Sequence, residues 1–283
     1  MEELLMNTEI KLKKTNNMNL LLSDMGFKMP ICYRESETRV EPAHIHNCSE
    51  IYVNISGDVS FLVESTLYPL KSGDVIITKP HEMHHCVYNS SSIHKCYCMW
   101  FDANDICSDI TQLFFEREKG HNNLITMNSS DKESLFFHWD NMYKHSDANN
   151  MDSTSFLASL YSVFEIIYRN KSNKNSANIP DLLGEILLFI DENLSANCNT
   201  ENIVKNFYIS RSSLYRLFNE HLAITPAKYI EEKRLSLSKT LINEKVPLKE
   251  VCSACGFNDY SYFISVFKKK FDITPYKYLK SIL

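Results

Sequence analysis

Between residues 30 and 100 the apolar positions fall in short β-branched or aromatic runs: Ile51-Tyr52-Val53, Val59-Ser60-Phe61-Leu62-Val63 and Val75-Ile76-Ile77. Ser56-Gly57-Asp58 and Lys71-Ser72-Gly73-Asp74 punctuate them as turns. Short strands at about ten-residue spacing predict a small β-barrel or jelly roll. After Phe101 the apolar period becomes helical. Asn128 to Asp131 is placed to cap a helix with Leu135, Phe136, Trp139, Met142 and Tyr143 on one face. Asp152 or Ser153 caps a second, carrying Phe156, Leu157, Leu160, Val163, Phe164 and Ile167. A polar stretch from Lys171 to Asn178 runs up to Pro180 and reads as a linker. From Asp181 onward the pattern is helical throughout, over 182–194, 200–207, 211–221, 226–243, 247–254, 260–271 and 275–281. The fold class expected is α+β. The expected organisation is a β-barrel domain over 1–105, a helical connector over 106–170, a linker over 171–180 and an all-α domain over 181–283.

The last eighty residues contain an internal repeat. Phe218, Thr225-Pro226 and Tyr229 recur 49 positions later as Phe267, Thr274-Pro275 and Tyr278. Each copy reads as a short helix, a tight turn and a second helix, with Ser210 and Asp259 as natural N-caps. Gly256 supplies a left-handed residue for the sharp corner of copy two. In a helix-turn-helix the second helix enters the major groove of DNA and reads base edges near its N-terminus. In copy one Leu214, Leu217 and Phe218 must face the core, leaving Arg211, Ser212, Tyr215, Arg216 and Asn219 outward as DNA-contact candidates. In copy two Phe263, Val266 and Phe267 are the core face, and Tyr260, Ser261, Ile264, Ser265 and Lys268 are the candidates. The readers are thus helices 211–221 and 260–271, joined by a helix of about 27 Å from Pro226 to Asn243. With Ile264 and Ser265 in place of long polar readers, copy two is expected to position more than to specify.

These residues resemble the AraC/XylS family of bacterial transcription regulators. The resemblance rests on Cys255-Gly256-Phe257-Asn258-Asp259-Tyr260-Ser261-Tyr262-Phe263 followed by Val266-Phe267-Lys268, and on Arg234-Leu235 with Leu241-Ile242 in the joining helix. It covers about 180–283. Ala223 and Asp272 stand where the family usually has glycine before Thr-Pro, and Tyr208 replaces a turn glycine. The resemblance implies a double-stranded DNA partner and a domain that binds a small-molecule effector, a sugar among the candidates.

The N-terminal half carries His44-x-His46 and Glu50, then Gly73-Asp74, Pro80 and His84-His85, a spacing similar to the cupin pattern. Alternate residues of a strand share a face, so His44 and His46 are able to point together into a barrel. His44, His46, Glu50, His84 and His85 are the candidate effector pocket. Two imidazoles, a carboxylate and a third imidazole also suit a divalent transition metal. Counting from Gly73 selects His84 as the last ligand and counting from Pro80 selects His85; the metal set taken is His44, His46, Glu50 and His85. Family resemblance favours an effector pocket with no resident cofactor, leaving a metal or a structural vestige as alternatives.

Composition changes this picture little. The chain has 283 residues, 44% hydrophobic and 23% charged, with net charge −5. Residues 181–283 hold 14 Lys/Arg against 12 Asp/Glu, leaving 16 against 23 in residues 1–180, which supports a basic helical module beside an acidic partner. No apolar run is long enough to span a membrane, and residues 1–14 lack the apolar stretch of a signal peptide. Nine irregularly spaced cysteines then read as free thiols of a cytoplasmic protein, and the CxxC of Cys252 and Cys255 as buried core thiols. A homodimer is expected through the apolar face bearing Leu157, Leu160, Phe164 and Ile167. The chain is expected not to be an enzyme. The rival reading is a metal-dependent cupin enzyme with an accessory helical domain, which leaves the repeat unexplained.

Overall fold

The computed structural model describes residues 31–36, 42–46, 48–102, 108–144, 153–171, 181–195 and 198–282. The N-terminal segment 1–14, the alternative cap Asp152 and all but the first residue of the expected linker 171–180 lie outside the described residues. The chain divides into two compact units, Met1–Glu41 with His46–Asn178, and Pro42–Ile45 with Ile179–Leu283.

In the first unit the strands are β1 (Ile31–Ser36), β2 (Ser49–Ser56), β3 (Val59–Val63), β4 (Thr66–Leu70), β5 (Val75–Thr78), β6 (His84–Tyr88), β7 (His94–Phe101) and β8 (Leu124–Ile125). The helices are α1 (Ser108–Phe115), which precedes β8, and α2 (Ser129–Lys144) and α3 (Ser153–Arg169), which follow it. All pairing is antiparallel. The order β1-β7-β2-β5-β8 makes one sheet and β4-β3-β6 a second. The expected β-barrel or jelly roll is present as two antiparallel sheets packed face to face, and the sheets are open where a closed barrel was one expectation. Gly57 (φ +114°) and Gly73 (φ +92°) make the turns that the sequence placed there.

Strand alternation separates two cores. Tyr52 and Ile76 of the larger sheet meet Phe61, Val63 and Tyr68 of the smaller one. Ile51, Val53, Val75, Ile77 and Met99 point the other way, against Leu135, Trp139, Phe156, Phe164 and Ile167 of α2 and α3. Both faces of β2 are buried, which is why its run Ile51-Tyr52-Val53 has no polar alternate. The helices expected as a separate connector thus belong to the first unit's core. Leu160, Phe164 and Ile167 are fully engaged with their own sheet, each contributing roughly 2 kcal/mol of burial, and Leu157 packs at the edge. The face expected to pair two copies is already covered within one chain. Outward-facing aromatics on these helices are Phe137, Tyr161 and Tyr168.

The second unit holds α4 (Asp181–Asn193), α5 (Thr200–Asn206), α6 (Arg211–Leu222), α7 (Pro226–Asn243), α8 (Leu248–Ala254), α9 (Tyr260–Phe271) and α10 (Pro275–Ser281). Its helix boundaries follow the chain's own signals. Ser210, Thr225, Asp259 and Thr274 each occupy an N-cap position in extended backbone and accept a hydrogen bond from the amide three residues on. Pro226 and Pro275 start their helices, where the missing amide proton costs nothing.

Candidate functional site

The tandem units are α5–turn–α6 and α8–turn–α9. Ser210 Oγ accepts from the Ser213 amide at 3.0 Å, and the Asp259 carboxylate accepts from the Tyr262 amide at 2.8 Å. Leu214 and Phe218 in α6, and Phe263 and Phe267 in α9, are fully buried and fix which face each helix turns outward. Arg211, Ser212, Arg216 and Asn219 are exposed; Tyr215 is half-buried, with the Arg211 guanidinium 5.6 Å from its ring centroid. On α9, Tyr260, Ser261, Ser265 and Lys268 are exposed. Ile264 is different: one position after Phe263 and three before Phe267, it falls on the flank of the core face and, half-buried, packs against the core. It is corrected from an outward reader to a packing residue. Lys269 of the basic run Lys268-Lys269-Lys270 is exposed on the same helix, as is Tyr262, whose hydroxyl donates to Glu231 of α7. Lys270 turns back to pair with Glu232 at 2.7 Å.

The two turns are unequal. Copy two leaves α8 through Cys255 and turns on Gly256 at φ +78°, where a Cβ would meet the Leu194 carbonyl oxygen at 2.3 Å. Copy one leaves α5 through Phe207 and turns on Tyr208 at φ +52°, with the side chain 96% exposed. One left-handed residue follows the C-cap in both, but copy one places a bulky aromatic there. Cys252 and Cys255 are core thiols; burial pushes the Cys255 thiol up to about 12.

The joining helix α7 is held from several sides. Lys233 pairs with Asp191 of α4 at 2.6 Å, and the Arg234 guanidinium donates to the Cys198 carbonyl at 2.9 Å. Glu232 takes Lys270 of α9, and the Lys239 ammonium lies 4.5 Å from the Phe271 ring centroid and 4.6 Å from that of Tyr278. Buried charges remain in place only when paired in this way. Removing one member would leave the other stranded; α7 is thus a strut tied by ion pairs to α4 and α9, and it meets α6 through the Phe218–Tyr229 ring pair at 5.6 Å.

In the first unit, Glu50 of β2, His84 of β6 and His46 in the approach to β2 converge. His46 Nε2 lies 2.8 Å, and His84 Nε2 3.1 Å, from the same Glu50 oxygen, Oε2. The other ring nitrogens face backbone carbonyls, His46 Nδ1 that of Cys48 at 2.9 Å and His84 Nδ1 that of Glu82 at 2.8 Å. The two rings meet edge to face at 4.7 Å, and His84 stacks over Phe61. Burial works to raise the Glu50 carboxyl, but its contacts with His46 and His84 outweigh burial and hold it well below the ordinary carboxylate range. Glu82 in turn fixes the loop that delivers His84. Its carboxylate accepts from Arg117 at 2.7 and 2.5 Å and from the amides of Lys79 and Gly120, each at 2.8 Å.

Of the histidine pair, His84 joins the site. His85 is the next residue on β6, set opposite Leu62 on the other face, and is corrected out of both the pocket and the metal set. His44 lies in Pro42–Ile45, the segment grouped with the second unit, where its Nδ1 bonds to the Pro42 carbonyl at 3.1 Å. On the strand face that carries Glu50, two further polar side chains are buried with no partner among the described residues: the Asn54 amide and the Thr78 hydroxyl directly across from Glu50. Each such group costs about 1–3 kcal/mol while unsatisfied.

Residues 30–121 match the family described as AraC-like ligand binding domain, and residues 203–281 match a helix-turn-helix domain family. An uncharacterized helix-turn-helix-type transcriptional regulator of Bacillus subtilis strain 168, YfiF, is 22% identical over 243 residues, 82% of this chain and 76% of its own. The transcriptional activator RhaS of Escherichia coli strain SMS-3-5 is 20% identical over 238 residues, 83% of this chain and 86% of its own. Photobacterium leiognathi LumQ, a probable transcriptional regulator, is 32% identical over 91 residues, 32% of this chain and 37% of its own. These relatives are named as regulators of transcription, not as enzymes.

Proposed function

This chain belongs to the AraC family of DNA-binding transcription regulators, and on that premise we propose that α6 and α9 read two adjacent major-groove segments while the sandwich senses a small effector. The observation that carries the reading is the pair of side-chain-capped helices, each with a buried apolar face and an exposed polar one, both packed on a single joining helix, α6 through Phe218–Tyr229 and α9 through Lys270–Glu232. Arg216 in mid-α6 has the fork geometry for a guanine edge, and Lys268 has the point charge for a phosphate. Ser212, Asn219, Ser261 and Ser265 add neutral contacts. The effector is placed between the sheets, against His46, Glu50 and His84, where Asn54 and Thr78 offer unsatisfied polar atoms. A hydroxyl-bearing ligand such as a sugar suits that set.

RhaS is named an activator, and activation is the direction taken for this chain. A homodimer remains part of the reading, with its contact moved to the outward aromatics Phe137, Tyr161 and Tyr168. The deciding experiment is selection of binding sites from a random DNA pool by the purified protein, with and without candidate sugars. A bipartite enriched motif supports the reading, and failure to enrich any sequence overturns it.

A further inference from the structure

The His46–Glu50–His84 cluster poses a problem in proton placement. Both Nδ1 atoms face carbonyl oxygens, which only accept, so each ring carries its proton on Nδ1. A neutral ring then has a bare lone pair at Nε2, and both Nε2 atoms are aimed at Glu50 Oε2, itself an acceptor. With neutral rings three acceptors converge, and the geometry then needs positive charge among them, carried either by an imidazolium proton or by a bound cation. The arrangement is held in place: His84 is 1% exposed, and its loop is anchored through the buried Glu82–Arg117 pair.

A cation meets that need for both rings at once. Imidazoles that ligate a metal through one nitrogen characteristically donate the other N–H to a backbone carbonyl or carboxylate, which fixes tautomer and ring orientation. That outer shell is already built here twice. The spacing fits as well: one ligand atom from each of the three residues lies within 4.8 Å of the others, and the two Nε2–Oε2 separations are 2.8 and 3.1 Å. Ligands about 2.1 Å from an ion at right angles to one another sit about 3.0 Å apart. Two nitrogens and one carboxylate oxygen select a first-row divalent transition ion over magnesium or calcium, which prefer all-oxygen sets.

We propose that His46, Glu50 and His84 hold one divalent transition-metal ion. The site is the one assigned above to the effector and rests on that reading for its regulatory meaning, but metal occupancy is measurable without DNA.

The full-length protein, stripped with chelator and then dialysed, is titrated with Zn2+, Ni2+, Mn2+ and Co2+ alone, followed by calorimetry and by the visible spectrum of the cobalt form. Elemental analysis of protein purified without chelator runs alongside. One ion per chain is expected, with a cobalt spectrum showing nitrogen and oxygen ligation. His46→Gln, in a half-buried approach segment, and Glu50→Gln should each weaken binding at least about ten-fold, the loss seen even when an outer partner of a metal ligand is removed. Thermal melting of each variant distinguishes a lost ligand from a lost fold; His46→Gln should melt like the parent without metal and lack the parent's metal-induced rise. No bound ion in the parent, or equal binding by folded His46→Gln and Glu50→Gln, overturns the proposal. A failed DNA selection would overturn the DNA reading and leave the metal count unchanged.

Discussion

Replacing Tyr208 by glycine should make the helical unit more stable. Tyr208 sits at φ +52° with its side chain 96% exposed, so the ring contributes almost no burial to offset its backbone conformation. A non-glycine residue in the left-handed region costs about 1–2 kcal/mol, and glycine gives back roughly 0.5–1 kcal/mol through its larger unfolded-state entropy. The net gain is therefore about 0.5–1 kcal/mol. For a unit of about a hundred residues, 1 kcal/mol moves Tm by roughly 4–8 °C, so a rise of about 2–8 °C is expected in the calorimetric transition of the helical unit. Tyr208→Ala is the control: it removes the ring, keeps the strained backbone and should leave Tm nearly unchanged. A Tyr208→Gly protein that melts at or below the parent, or an alanine variant that gains as much, refutes the argument. Ala223 (φ +51°) and Asp272 (φ +56°), the left-handed C-caps of α6 and α9, should respond to glycine in the same direction.

Arg216→Ala should weaken binding to the selected DNA site by about 1–3 kcal/mol and relax preference at one base pair; Lys268→Ala should weaken all sequences alike and lower the salt slope by about one contact, both read by fluorescence anisotropy across a salt series. Arg117→Met leaves the Glu82 carboxylate buried without its cation and should cost about 3–5 kcal/mol, measured by urea unfolding. His94 accepts from the Tyr52 hydroxyl at 2.5 Å, and burial, with the Arg34 charge in support, lowers it to about 4. Its folded value lies below its unfolded one, so the unfolded chain takes up the proton first. Stability should fall on the order of 3 kcal/mol as pH drops from about 6.5 to about 4, and His94→Gln should flatten that limb of the urea-midpoint profile. If the outward aromatics carry a dimer, Phe137→Glu with Tyr161→Ser shifts light-scattering mass to that of one chain; an unchanged mass removes the contact.

The helical half was legible because its signals are local. Ser210, Asp259 and the two Thr-Pro pairs each mark a helix start in a hydrogen bond spanning three residues, and the 49-residue repeat aligned the core positions. Ile264 escaped because a flank position on a helix is decided by what packs beside it, here the core of α7 and α8. In the first unit the strands were readable but their register was not. Whether His84 or His85 reaches Glu50 depends on pairing Val63 with His84, a long-range fact that counting along the chain does not contain. The faces of α2 and α3 announced something to bury, and only the apolar outer face of β2 shows that it is their own sheet.

The strut α7 has a consequence for the DNA. Its 18 residues span about 27 Å, short of the roughly 34 Å turn that separates successive major-groove faces on straight DNA. With α9 ion-paired to it and α6 packed on it through the Phe218–Tyr229 ring pair, the protein has little freedom to stretch, so a straight duplex would have to bend toward it to meet both helices. Bending cost varies with base step, being low at pyrimidine–purine steps and high in A-tracts. In such a complex the base pairs between the two half-sites would be selected by their flexibility, through the energy of bending and not through side-chain contact.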